Sequence, residues 1–353
     1  MGCILGRFRW TAIALLFTMM NAGAQKPAPI PMLDEALDAP GRAQVINEYA
    51  RQLAELHVNP GKAKQAADDL RQRLARGEYD DQTSARTLAA RVTADVAAII
   101  PDRRTYLEYV PYDQTDVRQR PPVTPPPADN FGLAKFDTLA GNVGYLQITR
   151  LAAVDRASVE AAGRFMSQAA DSSALIIDLR DAGGDGHQMA ALLSSYLITD
   201  NRSYFFKDKQ VHLHDQIDRS GSAVAEYWTS AEVAGKRFDS KKPIYVLVNE
   251  RTSGAAEAFA YDLQQFKRAA IIGAPTLGDA YTQTSAAVSR HLRAVIATTR
   301  STNVVSRRNW EGAGVQPDRM AAPADALNEA LRMIVAASKP KTDTKETKPN
   351  QVR

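Results

Sequence analysis

Lys242–Leu277 runs KPIYVLVNERTSGAAEAFAYDLQQFKRAAIIGAPTL, and this stretch decides the fold. Pro243 opens an apolar run, Ile244–Val248, that is too short for a helix and rich in β-formers. Such a run predicts a strand buried on both faces. Asn249–Gly254 holds turn and capping residues. From Ala255 onward, Ala256, Phe259, Ala260 and Leu263 recur at the spacing of one helix face. A second β run, Ala270–Ile272, closes at Gly273. Strand, turn, helix and strand in that order build an open α/β sheet, whose ligand sites lie at the carboxyl ends of the strands. Chemistry is therefore expected at Arg251–Gly254.

The same alternation extends outward. Val143–Ile148 predicts a strand, Arg156–Gln168 a helix, Ala174–Leu179 a strand and Met189–Leu197 a helix. A β-rich stretch, Thr284–Val305, follows the central unit, and a helix over Asp325–Ala336 closes it. This is the pattern of a mostly parallel or mixed sheet with helices packed on it. Upstream, three apolar stripes predict a small helical bundle: Val45, Ile46, Tyr49, Leu53 and Leu56; Ala66, Leu70 and Leu74; Leu88, Val92, Val96 and Ile99. Tyr106–Val110 reads as a strand leaving the bundle, and Pro121–Pro127 as a stiff connector. The chain thus divides into a linker (25–40), a helical domain (41–112), a Pro-rich connector (113–135), an α/β domain (136–337) and a Lys-rich tail (338–353).

The first 24 residues read as a secretory signal peptide: Arg7 and Arg9, an apolar run from Ala12 to Met20, then Ala22-Gly23-Ala24 before Gln25. The expectation is export, to the periplasm or the outside, with no membrane span after cleavage. The only cysteine, Cys3, lies inside that signal. A mature chain without thiols has no disulfide, no cysteine nucleophile and no thiolate metal site. Without Arg7 and Arg9 the 44 basic residues become 42 against 40 acidic ones, and the tail holds much of the excess. A nearly neutral body argues against nucleic acid as a partner. No cofactor or metal is expected.

Five motifs occur in order: Gly144-Tyr145-Leu146; Ile177-Asp178-Leu179-Arg180 before a glycine turn; Glu250-Arg251-Thr252 leading into Ala256-Glu257; Ile272-Gly273 before Thr276 and Gly278; and Gly314-Val315-Gln316-Pro317-Asp318. With them the chain resembles the tail-specific (C-terminal processing) serine proteases, and more closely the branch that includes the interphotoreceptor retinoid-binding protein repeats. The resemblance covers roughly residues 42–335 and implies a ClpP/crotonase-like α/β peptidase domain after a helical bundle. The Pro-rich stretch leaves no room for the PDZ domain that the processing proteases usually carry.

The resemblance also locates the substitutions. The family serine lies three residues before the glutamate of the turn–helix motif, and counting back from Glu257 gives Gly254. The lysine base of the processing proteases falls on Asp279, and the histidine of the other branch on Arg104. Ala182 stands where the family has asparagine, with Gly183 and Gly184 still available as an oxyanion turn. Of the triad-like set an acid remains, Glu311.

Nucleophilic catalysis needs a hydroxyl or thiol, a base to take its proton and donors for the oxyanion. Gly254 offers no such group, and Arg104 cannot accept a proton. Two readings follow. In one the fold is a pseudoenzyme whose cleft binds peptide or protein C-termini, or a small apolar ligand. In the other Ser253 has taken the nucleophile's place, with His187 as its base. Against the second, Ser253 or Thr252 would cap the helix, and His187 would be an exposed residue at a helix start. His57 suits a helix C-terminus. His212 and His214 alternate on one strand face without the spaced partners of a metal site, and His291 reads as solvated. Arg180 and Arg251 offer charge for a carboxylate, Arg180 equally as a structural ion-pair partner.

Overall fold

The computed structural model describes residues 34–116, 129–198 and 206–338. The expected signal peptide, most of the first expected linker, the Pro121–Pro127 connector and the tail from Lys339 lie outside the described residues. Asp34–Arg353 falls in one compact unit.

Three helices come first, α1 (Ala39–Leu56), α2 (Pro60–Ala75) and α3 (Ala85–Ala97). Each starts where the sequence supplies a side-chain acceptor: Asp38 takes the Gly41 N–H, Asn59 the Lys62 N–H and Ser84 the Thr87 N–H. Strand β1 (Tyr106–Tyr109) leads out of the bundle. Then follow β2 (Leu133–Leu139), β3 (Val143–Ile148), α4 (Arg156–Ala170), β4 (Ala174–Asp178) and α5 (His187–Leu197). Next come β5 (Phe206–Lys207), β6 (Gln210–Asp218), β7 (Ala223–Trp228), β8 (Ile244–Val248), α6 (Ala255–Gln265) and β9 (Ala270–Gly273). The chain ends through β10 (Tyr281–Ala287), β11 (Leu292–Asn303), β12 (Arg319–Met320) and α7 (Ala326–Ser338).

The main sheet has the order β12-β9-β8-β4-β3-β2. It is parallel except for the antiparallel edge strand β2. All five residues of β8 are buried, as their unbroken apolar run requires. Ile244, Val246 and Val248 join the core under α4, α5 and α6, while Tyr245 and Leu247 pack on the other face with Ala326 and Ala330 of α7. The α/β architecture expected from the sequence is the one present.

A second, antiparallel sheet runs β1-β11-β6-β5, with β10 on β11 and β7 on β6. It links bundle to peptidase sheet. Tyr106–Tyr109 pairs with Leu292–Val295, and Leu292, Ala294 and Ile296 share a core with all three bundle helices. Arg104, just ahead of β1, thereby meets Asp279 and Asp185.

Candidate active site

Strand β8 delivers the chain into a tight turn. Asn249 Oδ1 accepts the Arg251 N–H at 2.9 Å; Thr252 Oγ1 accepts the Asn249 N–H at 3.1 Å and donates to Leu179 O at 2.7 Å. Thr252 thus ties the turn to the end of β4 instead of capping α6, as its position had suggested. The residue at the start of α6 is Gly254, with φ +57° and ψ −124°. A Cβ added there would stand 2.6 Å from Gly184 O. Glycine is required twice over, by the left-handed φ and by the approach of the Gly184 carbonyl.

Behind Gly254 sits Glu257, with no exposure to solvent. Its carboxylate accepts the N–H groups of Gly254 (3.0 Å), Gly278 (2.7 Å) and Asp279 (2.9 Å), and the Thr276 hydroxyl as well. Burial pushes this carboxyl above its usual range, and the four donors oppose the shift. Donors only, on every side, match the ionised form. The sequence signal was an acid in the first turn of a helix; that it also binds the following turn was not readable.

In front, Arg104 meets Asp279. Arg104 Nε donates to Oδ1 at 2.6 Å, and Nη2 donates to Oδ2. Asp279 keeps 8% of its side chain exposed and Arg104 21%. The hydrogen-bonded Asp279 carboxylate raises the already high pKa of Arg104. Asp185 Oδ1 adds a second anion at 3.6 Å. The two residues that the resemblance would put at the family's base positions are thus joined to each other.

Ser253 is half-buried, and its Oγ lies 2.8 Å from where a side chain on Gly183 would begin. Its N–H goes to Ala182 O at 3.0 Å. No hydrogen bond joins its Oγ to a base among the described residues, and it does not cap α6. His187 begins α5, but it is buried, not exposed. His187 Nδ1 lies 3.1 Å from His214 Nε2, and His214 Nδ1 lies 2.7 Å from Asp262 Oδ2. Because Asp262 accepts, the chain of donors fixes the tautomers: His214 carries its proton on Nδ1, His187 likewise, and His187 Nε2 takes the Gln216 amide at 3.4 Å. Burial, with His214 and Arg104 nearby, lowers the His187 pKa to about 3. His187 faces the core network, and no hydrogen bond connects it to Ser253.

Of the other histidines, His57 stands at the C-terminus of α1 as expected, and the rest differ. A bulge separates His212 from His214. His212 stacks on Trp228 at 4.1 Å and bonds Asp215, so the two do not converge. His57 follows α1 but is buried, its Nε2 3.0 Å from Asp102 Oδ2. His291 is half-buried against Tyr109 with Nδ1 on Val110 O, not solvated. Among the described residues no group of three or more His, Cys, Asp or Glu is placed to hold a metal ion.

Arg180 is a structural partner, bound to Asp178 by several contacts and to Pro323 O at 2.7 Å. Arg251 is exposed and pairs with Asp181. Glu311 Oε2 accepts the Ala280 N–H at 2.8 Å. Burial, reinforced by the charges of Asp102, Asp279 and Glu257, brings Glu311 up to about 7.

Comparison with known proteins agrees with this geometry. Residues 142–320 match peptidase family S41. A tail-specific protease of Haemophilus influenzae is 30% identical over 116 residues, which is 32% of this chain but 14% of that relative's length. A putative peptidase from Parabacteroides merdae superposes with a TM-score of 0.59 at 15% identity, over 84% of this chain and 98% of that one. The photosystem II D1 C-terminal processing protease does so with a TM-score of 0.50 at 16% identity, over 80% and 93%. At such identities the structural likeness concerns the fold.

Proposed function

The chain belongs to peptidase family S41, and from that premise we propose that it is an exported, tail-specific-protease-like protein whose hydrolytic site is silent and whose cleft binds peptide tails or small apolar ligands. One observation carries this reading. Where the family places its nucleophile there is Gly254, with no room for a side chain, and where it places its bases there is the Arg104–Asp279 ion pair. A relay needs an attacking oxygen and an acceptor for its proton; these residues supply neither.

Two backbone donors at the turn are also engaged. The Gly254 N–H binds Glu257, and the Ala255 N–H binds Gly184 O at 2.8 Å. Oxyanion stabilisation requires free donors aimed at the developing charge. Binding asks for less. A groove of about 330 Å³ is lined by Val154, Leu192, Tyr227 and Trp228, with the carboxylates of Glu226 and Glu232. It suits an apolar peptide end; Arg251 lies outside that lining and pairs with Asp181, a pair that a terminal carboxylate would have to displace to meet its guanidinium.

The test is to titrate the purified protein with peptides ending in apolar residues, as free acids and as amides, and to follow the same mixtures by mass spectrometry. The expected result is binding of the free acids, weaker binding of the amides and no cleavage. Cleavage that disappears in Ser253→Ala would instead establish a serine peptidase with Ser253 as nucleophile.

A further inference from the structure

A pocket of about 220 Å³ opens where the chain leaves Asp279, walled by His57, Ile100, Pro101, Asp102, Tyr281 and Glu311. Two carboxylates line it, and neither pairs with a Lys or Arg side chain among the described residues. Asp102, 5% exposed in its side chain, accepts the Arg104 N–H at 2.8 Å, the Thr105 hydroxyl at 3.1 Å and His57 Nε2 at 3.0 Å. His57 Nδ1 lies 2.9 Å from the Asn59 N and 3.3 Å from Asn59 O. No Lys or Arg side chain is among the donors to Asp102. Glu311 has one oxygen on the Ala280 N–H and no hydrogen-bond partner for the other among the described residues.

The surrounding charges do not fill the gap. Arg104 is committed to Asp279, and Asp279 and Glu257 add negative charge near Glu311. Lys62, on the exposed first turn of α2, is the one cation in the lining and makes no ion pair among the described residues. The Tyr281 hydroxyl keeps its proton, because burial and the charges of Glu311 and Asp102 raise its pKa.

We propose that this pocket binds a primary alkylammonium group, as carried by a lysine side chain, a peptide N-terminus or a small free amine. The ammonium reaches Glu311 and Asp102, and its aliphatic stem lies on Ile100, Pro101 and the Tyr281 ring. The ring face also attracts a cation. Each carboxylate has oxygens already engaged, so a compact ammonium fits better than a guanidinium, whose planar fork needs two free oxygens of one carboxylate. His57, Asp102 and Glu311 are not grouped so as to hold a metal ion, and no other such group occurs among the described residues. Burial first, and then the charges of Asp102, Asp279 and Glu257, raise Glu311 to about 7. A bound ammonium would lower it, so binding near neutral pH releases protons.

This inference does not depend on whether the cleft hydrolyses peptides, because it is read by binding. The experiment is isothermal titration of the full chain with n-butylamine, butanol and tetramethylammonium, then with Nα-acetyl-lysine amide and glycinamide to separate a lysine side chain from an N-terminus. Butylammonium should bind, and butanol and tetramethylammonium should not. Affinity should fall about tenfold in Glu311→Gln, the loss expected for one charge-assisted hydrogen bond. Should Glu311→Gln not fold, the unsubstituted protein gives the same reading: binding weakens as pH falls through about 7, where Glu311 takes up its proton and the amine stays charged. Butanol binding as tightly as butylamine, an affinity unchanged in Glu311→Gln or across that pH range, or no binding of butylamine would overturn the proposal.

Discussion

Two sets of contacts meet at Gly254. In one, the Glu257 carboxylate gathers the backbone N–H groups of Gly254, Gly278 and Asp279. In the other, the Arg104 guanidinium closes on the Asp279 carboxylate, side chain to side chain. The first set is made through backbone N–H groups, in a turn whose course requires glycine at 254. The second depends entirely on side-chain identity. The two can therefore change independently, because different atoms hold them.

The largest expected effect tests the first set through its support. Phe259, 1% exposed in the main core, lies on the buried face of α6. Phe259→Ala should lower unfolding free energy by about 3–5 kcal/mol in denaturant titrations. A loss below about 1 kcal/mol would mean that α6 does not brace the elbow as described.

Next is the ion pair. Arg104→Ala leaves the buried Asp279 carboxylate uncompensated and should cost about 2–4 kcal/mol, less than a wholly buried pair because Arg104 is part-exposed. The double variant Arg104→Met with Asp279→Leu should recover most of that loss. A double variant no better than the single would show that the pair is not coupled as its geometry implies.

Gly254→Ser should cost roughly 1–3 kcal/mol through positive φ and contact with Gly184 O, and it should gain no hydrolytic activity, since no base adjoins it. Turnover in this variant would contradict the assignment of Arg104 and Asp279 as an inert pair.

The smallest effect is on pH dependence. Glu311 titrates near 7 in the fold against an ordinary 4.5. Its native form binds the proton more tightly than the unfolded chain, so its contribution is complete below the ordinary value and is lost as pH rises through about 7. Allowing for solvent screening of a part-exposed carboxyl, the loss is on the order of 1 kcal/mol. Glu311→Gln should flatten the stability profile over that window; an unchanged slope would locate the titration elsewhere.

Much of this molecule was legible in its residues, for identifiable reasons. The β8–α6–β9 unit announces itself because a doubly buried strand must be continuously apolar and a half-buried helix must repeat. Edge strand β2, mostly half-buried or exposed, has no such signature, and its first three residues fell within the expected connector. The family resemblance assigned residues 104, 254 and 279 to functional positions one at a time. Their joining was not visible: Arg104 and Asp279 lie 175 positions apart, and no local pattern encodes that contact. His57 and Asp102, 45 positions apart, escaped for the same reason. The burial of His187 was missed because a polar side chain at the start of a helix does not reveal a distant buried partner such as His214.

The central claim is that side chains at this turn no longer form a hydrolytic relay. It is tested most directly by incubating the purified protein with a fluorophosphonate that traps activated serines and measuring its intact mass. No adduct should form, because Ser253 has no base and Gly254 no hydroxyl. A stoichiometric adduct on Ser253, absent from Ser253→Ala, would contradict the claim.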